Sequence, residues 1–149
     1  MVQDLGRYSS PGPTDWATGA AVLVAARCHK AIGDWDESFF LYSEETDYML
    51  RARDAGLLTW YVPEAIAEHR GGESATSAQL WSLVVTNKVR LYRRRHGLLN
   101  SSLYWSILLG SEAVRAAAGK PRSRAAVRAL LRIHTHRPAG ASHARMQVL

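Results

Sequence analysis

Acidic side chains nearly vanish after residue 85 of this 149-residue sequence. Residues 86–149 carry thirteen Lys and Arg against a single acid, Glu112. Residues 1–85 reverse the balance, with six Lys and Arg against twelve Asp and Glu. A rear segment so poor in negative charge points to anionic company, such as lipid headgroups, phosphates or nucleic acid. Cysteine is as scarce: Cys28 stands alone, which excludes an internal disulfide and makes a reducing compartment the expectation. The longest uncharged stretch, Gly97 to Ser111, falls short of the ~18 apolar residues of a membrane span. The opening MVQDLGRYSS has neither a basic leader nor an apolar run, so no secretory signal is expected. These absences predict a cytoplasmic protein.

What is present suits one modest globular domain: 47% of residues are apolar and 21% charged. GRYSSPGPTDW reads as an irregular approach segment, and TGAAVLVAA (residues 18–26) as a buried strand. RCHKAIG reads as a short helical turn closed by Gly33, and Ser43 to Ala55 as a helix stopped by Gly56. LLTWYVP is strand-like up to Pro63, and AIAEH reads as a further short strand before Gly71 and Gly72. From Thr76 the spacing turns helical, with Trp81, Val84, Val85, Val89 and Tyr92 on one side. A second helix, roughly Ser102 to Ala118, carries Leu103, Trp105, Ile107, Leu108 and Val114. A third, about Arg122 to His134, sets Val127, Leu130 and Leu131 against Arg124, Arg128 and Arg132. Residues 137–149 are expected to form a mobile tail.

Three places could carry chemistry. Glu44, Glu45 and Asp47 fall in the first turn of the helix predicted from SEETDYMLRARDAG, where the dipole favours ionised carboxylates. Glu44 and Asp47 lie three apart on one face, while Glu45 points elsewhere. An ionised carboxylate beside a cleft can serve as general base for a hydroxyl. Equally, such acids complement the dipole and Asp47 can pair with Arg51, the reading that composition alone favours. The second place is His69-Arg70-Gly71-Gly72-Glu73-Ser74, where a histidine at a strand end could ligate a metal or touch a phosphate. Arg70 and Ser74 suit a diphosphate, and the glycines permit close backbone approach; a lone histidine is more often structural. The third is Asp15 to Ala20. Trp16 offers a flat face for sugar stacking and the Thr18-Gly19 backbone could bind an acceptor hydroxyl; the plain alternative is a strand start with Trp16 in the core.

The order of these segments matters more than any one of them. W-x-x-G-A at Trp16, then GDWDESFFLYSEETDYMLRARDAG, then TWYVPEAIAEHRGGES and a helix ending LYRRRHG resemble the second half of the inverting family 2, GT-A-fold glycosyltransferases. The likeness is greatest to the rhamnosyltransferase-like bacterial group and covers about residues 15–97. It implies an α/β fold: a partial GT-A-like layer of short strands plus a helix over residues 1–76, then a basic three-helix region over residues 77–136. It implies a catalytic base at Glu45, where that family usually carries Asp, with Glu44 before it and Asp47 two after. His69 maps near the family's metal and diphosphate, followed by Gly72 and Ser74. Mg²⁺ or Mn²⁺ and a dTDP- or UDP-sugar donor are held in such enzymes by an N-terminal half bearing Asp-x-Asp. No Asp-x-Asp precedes Trp16, and Asp34-Trp35-Asp36 reads as a turn and helix-start feature. The resemblance thus implies sugar transfer from a nucleotide-sugar donor to a glycan or lipid-linked acceptor, in a truncated or split form that is inactive alone.

A reading of a different class is a non-enzymatic module whose basic helices bind an anionic membrane surface. The aromatic residues are not interleaved with the cations in a nucleic-acid-binding motif, which disfavours nucleic acid. Peripheral contact at the inner face of the cell membrane agrees with lipid-linked acceptors; a solvated basic face is the bland alternative.

Overall fold

The computed structural model describes Gly6, residues 9–68 and residues 77–135, and it is a mixed α/β fold with far more helix than strand. Strand β1 (Gly12–Thr14) pairs antiparallel with β2 (Thr59–Tyr61), with Gly12 opposite Tyr61, Pro13 opposite Trp60 and Thr14 opposite Thr59. Both strands of this pair are edges, so the missing N–H of Pro13 is tolerated. Helix α1 (Ala26–Ile32) stops at Gly33, whose φ of +76° suits a residue without Cβ and whose N–H bonds the His29 carbonyl. A 3₁₀ turn, Glu37–Phe39, is capped by Asp36, which accepts from the Ser38 N–H at 2.9 Å. Helix α2 (Glu44–Asp54) follows. Three longer helices complete the chain: α3 (Ala78–Arg95), α4 (Leu98–Ala117) and α5 (Pro121–Thr135), the last opening on a proline that suits a first helical position.

The helical region packs around Val85 and Val89 of α3 and Ala126 and Leu130 of α5, with Trp81, Tyr104, Trp105, Leu108 and Leu109 against them. Tyr92 of α3 stacks on Tyr104 of α4 at 4.3 Å between centroids. Trp105 Nε1 donates to the Leu130 carbonyl at 3.1 Å, tying α4 to the returning α5. Glu112, the one acid of this region, is fully buried and accepts from Trp81 Nε1 at 3.0 Å and from Arg115 at 2.7 Å. Burial pushes its carboxyl up, but donation from Trp81 and Arg115 outweighs that and lowers it from the ordinary carboxylate value. The front of the molecule has its own smaller core, Phe39, Tyr48, Met49 and Ala52, with Trp35 stacked on Tyr48 at 4.5 Å.

Several elements differ from the sequence reading. Residues 18–25 form no strand: they run as turn and coil into α1, and Leu23 lies exposed. A strand needs ladder partners for its N–H and C=O groups, and none lies beside this segment among the described residues. The strand that does form, β1, sits in the supposed irregular approach segment, because its partner β2 is supplied from far along the chain. Residues 65–68 form no strand and follow a turn at residues 63–64, with the Ala65 N–H bonding the Val62 carbonyl. Helix α4 begins at Leu98, four residues early, and turns Leu103, Ile107 and Val114 outward while Trp105 and Leu108 face in. The tail at 137–149 lies outside the described residues.

Leu130 and Leu103 provide a direct check on this packing. Leu130→Ala should cost about 2–5 kcal/mol in chemical denaturation, because the site is closed on all sides. Leu103→Ala, on the outward face, should stay within about 0.5 kcal/mol of the parent.

Candidate active site

Immediately before α2 the backbone is bent in a way that non-glycine residues resist. Phe40, Tyr42 and Ser43 have φ of 61°, 67° and 77°, a region costing roughly 1–2 kcal/mol per side-chain-bearing residue. A buried amide from another helix holds that bend. Asn87 Nδ2 of α3 donates to the carbonyls of Phe39 (2.8 Å), Leu41 (2.8 Å) and Tyr42 (3.0 Å). Arg90 donates to the Ser38 carbonyl at 2.8 Å and to Asn87 Oδ1 at 3.2 Å, orienting the amide. Phe39, fully buried, lies under the guanidinium groups of Arg90 and Arg94 at 5.1 and 4.5 Å.

The bend delivers Glu44 and Glu45 as the first residues of α2, after a left-handed cap at Ser43. Both carboxylates are half-buried, and each keeps one oxygen, Oε2, buried without a hydrogen-bond partner. Burial pushes the Glu45 carboxyl up, and the neighbouring Glu44 carboxyl pushes it further, against donation from the backbone N–H groups of Glu45 and Ser43. Burial thus raises Glu45 in spite of the helix dipole. Beside them a cleft is lined by Trp35, Asp36, Glu37, Phe40 and Glu44.

The Asp15 to Ala20 segment lies against this helix. The Ala17 N–H meets Met49 Sδ at 2.9 Å, and a Cβ built on Gly19 would stand 3.7 Å from Glu45 Cβ. Thr18 Oγ1 accepts from the Ala20 N–H at 3.4 Å, folding the segment into a turn. Trp16 is 51% exposed, so it is a surface indole and not a core residue. Thr18 and Gly19 are thus brought beside Glu45, with Trp16 nearby in sequence on an open face.

Asp47 has a different setting. It is buried and ion-paired to Arg51 of its own helix at 2.9 Å and to Arg94 of α3 at 3.3 Å. Arg51 also donates to the carbonyls of Ile32 (2.7 Å) and Asp34 (2.9 Å), and Arg94 pairs with Asp36. Arg95 pairs with Asp54 at the other end of α2. Part of the cationic rear therefore neutralises the acidic front, a division of labour that the charge count alone does not reveal. Asp36 itself is pulled down to about 2: burial opposes its charge, but the Ser38 donors and Arg94 prevail.

His69, Arg70, Gly72 and Ser74, expected near a metal and diphosphate, lie outside the described residues. Among the described residues no group of three or more His, Cys, Asp or Glu side chains could hold a metal ion, so these residues alone do not make a Mg²⁺ or Mn²⁺ site. Sequence reading missed Asn87. Its signal was an amide on a helix flanked by Val84, Val85 and Val89, where a polar residue demands buried partners.

The chain is 32% identical over 110 residues, 72% of its own length, to N-acetylglucosaminyl-diphospho-decaprenol L-rhamnosyltransferase of Mycobacterium tuberculosis, in both the CDC 1551 and H37Rv strains. The match spans 36% of that enzyme, so the chain corresponds to about a third of the relatives' length. No protein-family model and no solved structure matches it.

Two outcomes follow from this geometry. Asn87→Ala removes the amide shared by the Phe39, Leu41 and Tyr42 carbonyls, of which Phe39 keeps the Leu41 N–H, and should cost about 2–4 kcal/mol, with faster amide exchange at residues 41–46 than elsewhere in α2. Acid should also weaken the fold through Asp36. Its folded pKa is depressed from 3.8 to about 2, so its contribution is complete above 3.8 and drains away as pH falls toward 2. Denaturation midpoints between pH 5 and 2 should show this loss, and Arg94→Leu should flatten it.

Proposed function

We propose that this chain is the acceptor-side part of an inverting family 2, GT-A-type glycosyltransferase, with Glu45 as its general base. The observation that carries the reading is the placement of Glu45: half-buried, with an unpartnered oxygen, beside Gly19 of the W-x-x-G-A segment and adjacent in sequence to Glu44, which lines a cleft. Similarity to a rhamnosyltransferase whose name specifies a polyprenyl-diphosphate-linked N-acetylglucosamine supports a lipid-linked sugar as acceptor and a rhamnosyl or related hexosyl group as cargo.

In this scheme the Glu45 carboxylate takes the proton of an acceptor hydroxyl. The freed oxygen electron pair attacks the anomeric carbon from the face opposite the nucleotide. The bond from that carbon to the diphosphate breaks, so configuration inverts and the nucleotide diphosphate departs with the bonding pair. The upward push on Glu45 makes its carboxylate a stronger base than an exposed glutamate. The open indole of Trp16 can stack on an acceptor ring, and the Thr18-Gly19 backbone can position its hydroxyl. Asp47 is assigned a structural role, since both its oxygens are taken by arginines. The donor, a dTDP- or UDP-sugar, is assigned to residues outside this sequence. A divalent ion would belong to that side, with His69 as the contribution from this chain; the base chemistry of Glu45 does not pass through it.

The test is a fusion of this chain to the donor-binding region of the mycobacterial relative, assayed for rhamnosyl transfer to a polyprenyl-diphospho-N-acetylglucosamine. Glu45→Gln should lose roughly 10²–10⁴-fold in kcat with donor binding nearly unchanged. Glu44→Gln should keep turnover but move the acid limb of the pH–rate profile downward, because Glu44 is one of the groups raising Glu45. Asp47→Ala should cost about 3 kcal/mol of stability, by leaving two arginines without their buried partner. Full turnover by Glu45→Gln would remove the assignment. The unfused chain should show no micromolar binding of UDP- or dTDP-sugars with Mn²⁺ in calorimetry.

A further inference from the structure

Helix α4 carries an apolar stripe on its outward side. Leu99, Leu103, Ile107, Gly110, Val114 and Ala117 recur at intervals of four, four, three, four and three, so they fall on one face. That face is open: Leu99 is 83% exposed, Leu103 61%, Ile107 62% and Val114 71%. The opposite face is engaged, through the Tyr104–Tyr92 stack, the Trp105–Leu130 bond and the Glu112–Trp81 bond. The only charged side chains of α4 are Glu112 and Arg115, which pair with each other away from the stripe, leaving about five turns of exposed helix without charge. A contiguous uncharged apolar face of this kind marks a contact surface.

The surroundings of the stripe identify its partner. Residues 77–135 hold eleven Lys and Arg, and their one acid, Glu112, is buried. Helix α5, which returns antiparallel beside α4, presents Arg124, Arg128 and Arg132 in an exposed row at i, i+4 and i+8, and exposed Lys120 sits in the connection. A second copy of this chain docked stripe to stripe would bring two cationic sets together with no accessible acid from this region to offset them. An anionic bilayer supplies both complements, acyl chains for the stripe and phosphates for the row. No described helix is long and apolar enough to cross a membrane, so α4 would lie along the surface.

We propose that the outward face of α4, together with the exposed arginines of the neighbouring α5, is a docking surface for a membrane rich in anionic lipid. This inference is independent of the role given to Glu45, because it is tested by lipid binding alone. The 149-residue chain is sedimented with vesicles of phosphatidylcholine, or of phosphatidylcholine and phosphatidylglycerol at about 3:1, in low and high salt. Binding to the anionic vesicles should exceed binding to neutral ones by at least about tenfold and weaken as salt screens the arginines. Leu103→Ser/Ile107→Ser and Arg124→Gln/Arg128→Gln should each lower anionic-vesicle binding at least about tenfold. All four positions are exposed, so thermal melting should stay near the parent and separate lost docking from lost folding. Equal binding by parent and variants, no vesicle binding, or a salt-resistant dimer abolished by Leu103→Ser/Ile107→Ser would each overturn the proposal.

Discussion

One buried amide organises the loop that leads into α2. Asn87 reaches from α3 to the carbonyls of Phe39, Leu41 and Tyr42 and makes tolerable a bend in which Phe40, Tyr42 and Ser43 all take positive φ. Without that amide the Leu41 and Tyr42 carbonyls would lose the donor that meets them, and the left-handed backbone would relax. With it, α2 starts at a fixed angle and presents Glu44 and Glu45 beside Gly19. Arg90 and Arg94 reinforce the same loop from the same helix, through Ser38, Asp36 and the face of Phe39. The α/β front and the helical rear are consequently one cooperative arrangement, tied through α3.

The charge asymmetry of the chain resolves into two populations of cations. Arg90, Arg94 and Arg95 are spent inside the molecule, holding the loop before α2 and both ends of that helix. The row on α5 faces outward beside an uncharged stripe on α4. The first population explains why so many acids can crowd the front without mutual repulsion dominating. The second leaves the rear with an exposed cationic surface. If the chain works on a lipid-linked sugar, the two roles are compatible: one places a base, and the other would bring that base to a surface.

Much of this was legible from residue order. Gly33 and Gly56 marked the ends of α1 and α2, and the apolar spacing of residues 78–95 announced α3, because caps and periodicity are local properties. The Asp47–Arg51 pair was visible for the same reason, being one helical turn long. The strand at residues 18–26 was misread because hydrophobic β-branched composition says that a segment would suit a sheet, not that a sheet edge is there to receive it. Helix α4 shows a related limit: it is apolar nearly all round, so spacing could not say that Trp105 and Leu108 face in while Leu103, Ile107 and Val114 face out.

By itself, then, the sequence determined the helices, their stops, the split of charge and the ordered segments that resemble a glycosyltransferase, because each depends on neighbours within a turn or on composition. Only the tertiary structure decided that β1 pairs with a strand 47 positions away in register, that Asn87 holds the bend before α2, and that Gly19 lies against Glu45. It also decided which cations turn inward and which face of α4 stays bare. These outcomes depend on which surfaces meet in space. Desolvation and hydrogen bonding act on the groups that contact each other, whatever their separation along the chain.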